Sequence, residues 1–95
     1  MSRYKENSQI LYDNIFYEKG YLFCEICKAN KGIDPPHHII WRSEKPNHPE
    51  LHELSNLILL CRNCHNEFHD KKGKRNKLVL SRQLHLIFGN DVLNK

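Results

Sequence analysis

The chain has 95 residues, 39% of them hydrophobic and 27% charged, with 15 Lys+Arg against 11 Asp+Glu for a net charge of +4. At this length a single domain over residues 1–95 buries only about 60–65% of its unfolded surface, so a purely apolar core is marginal and a metal or disulfide staple is expected. No apolar run approaches the roughly 18 residues of a membrane span, and the polar start "MSRYKENSQI" lacks the apolar region of a secretory signal.

These features point to an intracellular, cytoplasmic protein with no membrane partner, in which thiols stay reduced and favour metal over disulfides. In chain order, "NSQILYDNIFYEKG" brings Ile10, Leu11, Ile15 and Phe16 to helical spacing, with Gly20 as the stop, giving a helix over about 7–18. Tyr4, Tyr12, Phe16 and Tyr17 are expected to dock it. "YLFCEICKANKG" reads as a turn-forming knuckle closed by Gly32. In "IDPPHHII" the prolines forbid helix and lead into a short strand. "WRSEKPNHPELHEL" is a polar loop, and "NLILLC" is an apolar run of strand length. "RNCHNEFHDKKGK" reads as a helix ending near Gly73. A last helix over about 78–88 places Leu80, Leu84 and Ile87 on one face, with Gly89 as its C-cap.

Cys24–Cys27 and Cys61–Cys64 are both C-x2-C pairs, and the chain has no other cysteine. That spacing lets two sulfurs of one turn reach a single tetrahedral ion at roughly 2.3 Å, and two pairs give a closed, structural four-thiolate zinc site. Ordinary buried thiols or a redox pair are the competing readings, and the doubling favours metal. The 33 residues between the pairs exceed the roughly 15–20 of a simple zinc ribbon, so something is built inside the gap.

On a helix starting near Arg62, Cys61, Cys64 and Phe68 fall within roughly 60° of one another while His65 and His69 point to a neighbouring sector. His65 and His69, at i and i+4, can offer two imidazoles to one ion. The third ligand is sought at His37 or His38, whose side chains point to opposite faces of an extended segment and so take different roles. Three imidazoles leave coordination positions open, as a catalytic metal requires. His48, His52 and His85 lack a partner at ligand spacing and read as solvated or core imidazoles. Trp41 reads as a packing residue.

"HHII" followed by "NLILLCRNCHNEFH", with the earlier C-x2-C, resembles the HNH endonuclease family in its zinc-knuckle form, over about Cys24 to His69. The resemblance implies an α+β fold: a small ββα-metal, treble-clef-like unit with a structural four-cysteine zinc site and flanking N- and C-terminal helices. By position, His38 resembles the general base that activates water. His37, His65 and His69 resemble ligands of one catalytic divalent metal, which three imidazoles allow to be magnesium, manganese, nickel or zinc. Asn56 resembles the asparagine that holds the loop between the strands and orients the base, and is grouped with His38 in the catalytic apparatus. Arg42, with Ser43, sits where many members carry an Arg-Ser pair and is a candidate phosphate contact. The loop 44–55 departs from members with a glycine-rich connection.

The implied activity is metal-dependent hydrolysis of DNA phosphodiester bonds, leaving 5′-phosphate and 3′-hydroxyl ends. DNA is the expected partner, together with phage, restriction or mobile-element proteins. In "KKGKRNK", Lys71, Lys72, Lys74 and Arg75 are candidate phosphate clamps, against the alternative of a solvated linker. Two other functions compete: a zinc-stabilised module that binds nucleic acid without cutting, for which an unliganded His38 has no use, and a structural zinc scaffold, which needs only one ion.

Overall fold

The four consecutive leucine and isoleucine side chains Leu57, Ile58, Leu59 and Leu60 are all essentially inaccessible to solvent. Successive side chains of an extended segment point to opposite faces, and here each face meets a separate core. Leu57 and Leu59 join Leu11, Ile15 and Phe23 on one side. Ile58 and Leu60 join Ile39, Ile40, Phe68, Val79, Leu84, Phe88 and Val92 on the other. A segment covered on both faces needs an unbroken apolar run, which is what "LILL" supplies.

The structure is a computed structural model that describes residues 3–70 and 72–93. Its elements are helix α1 (Arg3–Lys19), strand β1 (His37–His38), strand β2 (Leu57–Ile58), and helices α2 (Arg62–Asp70), α3 (Lys72–Ser81) and α4 (Leu84–Phe88), with 3-10 turns over Leu54–Asn56 and Asn90–Leu93. β1 and β2 are antiparallel, with His37 opposite Ile58 and His38 opposite Leu57. Helix α1 covers one face of this ribbon, and the C-terminal helices supply the core on the other. Together these elements make a small α+β unit in which a two-stranded ribbon leads into a helix.

Several boundaries differ from expectation. α1 begins at Arg3 rather than near residue 7, and its buried stripe is Ser8, Leu11 and Ile15. Ile10 and Phe16 are largely exposed and Tyr17 is 91% exposed, so of the residues expected to dock the helix only Tyr4 and Tyr12 pack into the core. Both strands shrink to two residues. Ile39 and Ile40 continue β1 as buried bends, and Leu59 and Leu60 use their carbonyls to bind the amides of Glu25 and Asp34.

The helix carrying His65 is described as far as Asp70, and Gly73, expected to mark its stop, lies within α3. The expected single helix over 78–88 is broken at Arg82–Gln83, where Gln83 adopts a left-handed φ of 58°. The break turns the chain so that Val79, Leu84, Phe88 and Val92 face the core, while Leu80 and Ile87, placed by sequence on the buried face, are exposed. Arg82 stabilises the turn by donating to the carbonyls of Ser55 and Leu57.

The long connection between the strands, residues 39–56, is held by two buried polar groups. Asn56, fully buried, accepts from the Ile40 amide through Oδ1 at 2.7 Å and donates through Nδ2 to the carbonyls of Ile40 at 3.1 Å and Leu51 at 2.8 Å. Both its donors and its acceptor are thereby used. The second is Arg75, whose side chain is 0% exposed. It donates to the Ile39 carbonyl and to Glu44 Oε1 at 2.9 Å, and Glu44 Oε2 accepts from the Trp41 amide. Arg75 is therefore no phosphate clamp, contrary to the reading of "KKGKRNK". Helical periodicity turns it inward between the exposed Lys74 and Lys77, and it ties α3 to the loop.

Removing one partner of a buried ion pair strands the other charge without solvent, which costs about 3–5 kcal/mol. Glu44→Ala should therefore lower stability by about that much in chemical denaturation of the metal-loaded protein. Glu53→Ala, which breaks the exposed pair with Arg3, should cost no more than about 1 kcal/mol.

Candidate functional site

Two groups of metal-ligating side chains converge, one of Cys24, Cys27, Cys61 and Cys64 and the other of His37, His65 and His69, each with its ligand atoms within 4.8 Å of one another. In the first group, the Cys24 knuckle is closed by the Lys28 amide donating to the Cys24 carbonyl, with Lys28 in the left-handed region at φ 68°. The amides of Cys27 and Cys64 donate to the sulfurs of Cys24 and Cys61, each at 3.5 Å. An antiparallel bridge between Ile33 and Cys61 and the bond from the Arg62 amide to the Gly32 carbonyl stitch the two knuckles together. The Cys27 and Cys61 sulfurs are 3.6 Å apart, close to the roughly 3.8 Å edge of a tetrahedron with metal–sulfur bonds of about 2.3 Å.

Four thiols so close cannot all ionise without a cation among them. Burial and the adjacent cysteines push the Cys64 thiol well up. Burial also raises Cys24, but donation from the amides of Cys27, Cys61 and Ile26 outweighs it and brings that thiol down to about 7. The donor set fits one tetrahedral ion closed to other ligands.

The second group is assembled from β1 and one face of α2. Phe68 and Cys64 turn into the core, and His65 and His69 project from the adjoining face towards His37. Their Nε2 atoms are 3.1 Å apart, near the roughly 3.3 Å edge expected for imidazoles bound at about 2.0–2.1 Å to a tetrahedral ion. His37 Nε2 is buried and has no hydrogen-bond partner. A buried polar atom without a partner is costly, and a cation bound also to His65 and His69 would satisfy it. Burial, then the neighbouring His65 and His69, hold the His37 imidazole down to about 4, which keeps it in the neutral form that a metal ligand requires.

Asp34 was not singled out in the sequence, yet its carboxylate contacts His65 Nδ1 at 3.0 Å and also accepts from Arg62. Hydrogen bonding to His65 first, and to Arg62 next, holds the Asp34 carboxyl below its usual range. An ionised carboxylate can only accept, so His65 carries its proton on Nδ1 and presents the Nε2 lone pair towards His69. The one hint in the sequence is an acidic residue three positions before the paired histidines.

His38, beside His37 on β1, points elsewhere: its Nε2 lies 2.9 Å from His52 Nδ1. His52, expected to be an incidental imidazole, is thus a partner of His38. His48 accepts from the Glu50 amide and packs on Phe88, and His85 keeps a buried Nδ1 without a partner. Burial first, then His52 and Arg42, lowers the His38 imidazole to about 4, so the ring is neutral at physiological pH. His37, His38, Trp41, Arg42, Ser43 and His69 line a cleft of about 310 Å³. Trp41 stacks on His69 with ring centroids 5.0 Å apart, and the Arg75 guanidinium lies over the Trp41 ring, 5.3 Å from its centroid. A larger recess of about 490 Å³ lies beside the thiolates and contains none of these histidines.

The Asn56 side chain forms its hydrogen bonds with Ile40 and Leu51, which places it as a support of the loop beside His38. Lys74 is exposed and pairs with Glu67. Lys71 and the side chain of Lys72 lie outside the described residues.

A family model for HNH endonuclease matches residues 24–71, just over half the chain and the stretch that contains all seven converging cysteines and histidines. The chain belongs to the HNH endonuclease family. Comparison with curated proteins and with solved structures gives no match. HNH domains are nucleases as a class, acting on DNA with divalent metals, and the two ligand clusters are compatible with that chemistry. Among the described residues, no helix is long and apolar enough to cross a membrane.

Two substitutions separate the clusters. Structural zinc contributes about 10–16 kcal/mol to small thiolate sites, so Cys24→Ser should unfold the chain, seen as loss of the circular-dichroism signal. His69→Ala should keep the folded spectrum and bind one ion fewer by elemental analysis. Asp34→Asn should stay folded while its affinity for the ion at the histidine cluster falls about 10- to 100-fold, read by calorimetric titration.

Proposed function

We propose that this HNH chain is an endonuclease that hydrolyses DNA phosphodiester bonds, with one divalent ion held by His37, His65 and His69, His38 as the general base, and a separate zinc closed within the four thiolates. The observation that carries this reading is the three-imidazole cluster opening, at His37 and His69, into the cleft that His38 and Arg42 also line. A zinc scaffold requires only the thiolates, and a module that merely binds nucleic acid has no use for His38 beside the cluster.

The chemistry follows from the residues present. His38 is neutral at physiological pH and takes a proton from the water that attacks phosphorus. The water oxygen forms the new P–O bond as the bond to the 3′ oxygen breaks, leaving a 5′-phosphate and, after protonation from solvent, a 3′-hydroxyl. His37, His65 and His69 would hold a divalent ion, which would supply positive charge against the scissile phosphate and the departing oxygen. Arg42, at the cleft wall, donates to a non-bridging phosphate oxygen and fixes the strand. Trp41 and Asn56 hold the walls in place: Trp41 packs on His69, and Asn56 ties the loop to the segment that follows His38.

The test is nicking of supercoiled plasmid across a series of magnesium, manganese, nickel and zinc, with chelator controls. Wild type should cut only with metal, and His38→Ala should be slower by roughly 10²–10⁴-fold while binding the same number of ions. Equal rates for the two proteins would overturn the assignment of the base.

A further inference from the structure

His38 and His52 are 14 positions apart in sequence, yet their rings meet at 2.9 Å through Nε2 and Nδ1. Two imidazole nitrogens in contact at that distance are joined by one proton, so one ring donates and the other accepts. The contact is held from three sides. The Tyr4 ring stacks on His38 with centroids 5.1 Å apart at 25° and meets His52 edge-on. The Tyr4 hydroxyl donates to the Pro36 carbonyl at 2.6 Å, just before the paired histidines. Asn7 Nδ2 donates to the His52 carbonyl at 2.7 Å, and Arg3 pairs with the adjacent Glu53. All three anchors belong to α1, outside the residues matched by the family model.

We propose that His52 is a positioning residue for the base: it accepts the proton of His38 Nε2, fixes the His38 ring, and leaves His38 Nδ1 as the atom that takes the proton from water. This rests on the reading of His38 as general base. The direction of the bond follows from that role. Were His52 the donor, Nε2 of His38 would be engaged as the acceptor and Nδ1 would carry the proton, so neither nitrogen could receive another from water. With His38 donating, no other hydrogen bond among the described residues occupies Nδ1. When that nitrogen takes up its proton, the bond to His52 becomes charge-assisted and strengthens as charge develops on the ring. His52 thus does with a ring-nitrogen acceptor what a carboxylate does in other base pairs. Because it does not touch the phosphate, its loss should slow turnover without weakening substrate binding.

The full chain, loaded with zinc and magnesium, is tested in two ways. In kinetics, His52→Ala should lower kcat by on the order of 10- to 100-fold with KM unchanged, and His52→Asn, whose amide oxygen can accept in place of Nδ1, should recover most of the loss. In nitrogen NMR of the wild type, a coupling across the hydrogen bond should join His38 Nε2 to His52 Nδ1, with the directly bonded proton on His38. An unchanged kcat in His52→Ala, a proton directly bonded to His52 Nδ1, or absence of the coupling overturns the inference. A wild type that cuts beside an equally fast His52→Ala removes this inference alone, whereas a wild type that does not cut removes the nuclease reading with it.

Discussion

The convergence of four sulfurs sets the geometry of everything else in this chain. Two tight knuckles, 24–27 and 61–64, come from segments far apart in sequence, and bringing them together pins the start of α2 against the turn that ends at Gly32. From that fixed point, helical geometry turns His65 and His69 to one side. The bridge between Ile33 and Cys61 places Asp34 beside His65. A core this small fixes such relations poorly by apolar burial alone, and an ion bound among the four sulfurs would substitute for mass. The chemistry proposed for the imidazoles is thereby separated from the device that holds the shape, and each cluster keeps donors suited to its task.

A second constraint comes from burying polar side chains to fix a long loop. Residues 39–56 contain little regular structure, but Asn56 and the Arg75–Glu44 pair close it at both ends with no solvent access. Such groups contribute less to net stability than their bonds suggest, because each is first stripped of water. What they fix is position. Glu44 holds the Trp41 amide, and Trp41 in turn lies on His69. The wall of the cleft is therefore coupled to α3, an element with no metal ligand of its own.

The clustering of four cysteines and of three histidines was legible in the sequence, because ligand types at i, i+3 and i, i+4 leave few geometries open. The two-faced burial of "LILL" was less so, since a short apolar run does not say what covers each face. The break at Gln83 escaped the reading because a non-glycine residue in left-handed backbone gives no local signal and is set by tertiary packing. Arg75 was misread because a basic run looks uniform in sequence, whereas on a helix one member in three or four turns inward. His52 and Asp34 were missed for a different reason. Their partners are brought to them by loop closure and by an isolated bridge, which no spacing rule encodes.

Helix α1 lies wholly upstream of the stretch by which the family is recognised, yet its side chains form the floor beneath His38 and hold the peptide of His52. A unit excised to the recognisable stretch would retain every cysteine and histidine that could bind an ion while shedding the platform on which the free imidazole rests. On the proposed function, metal binding and competence at phosphorus would be separable, and borders drawn from ligand motifs alone would preserve only the first.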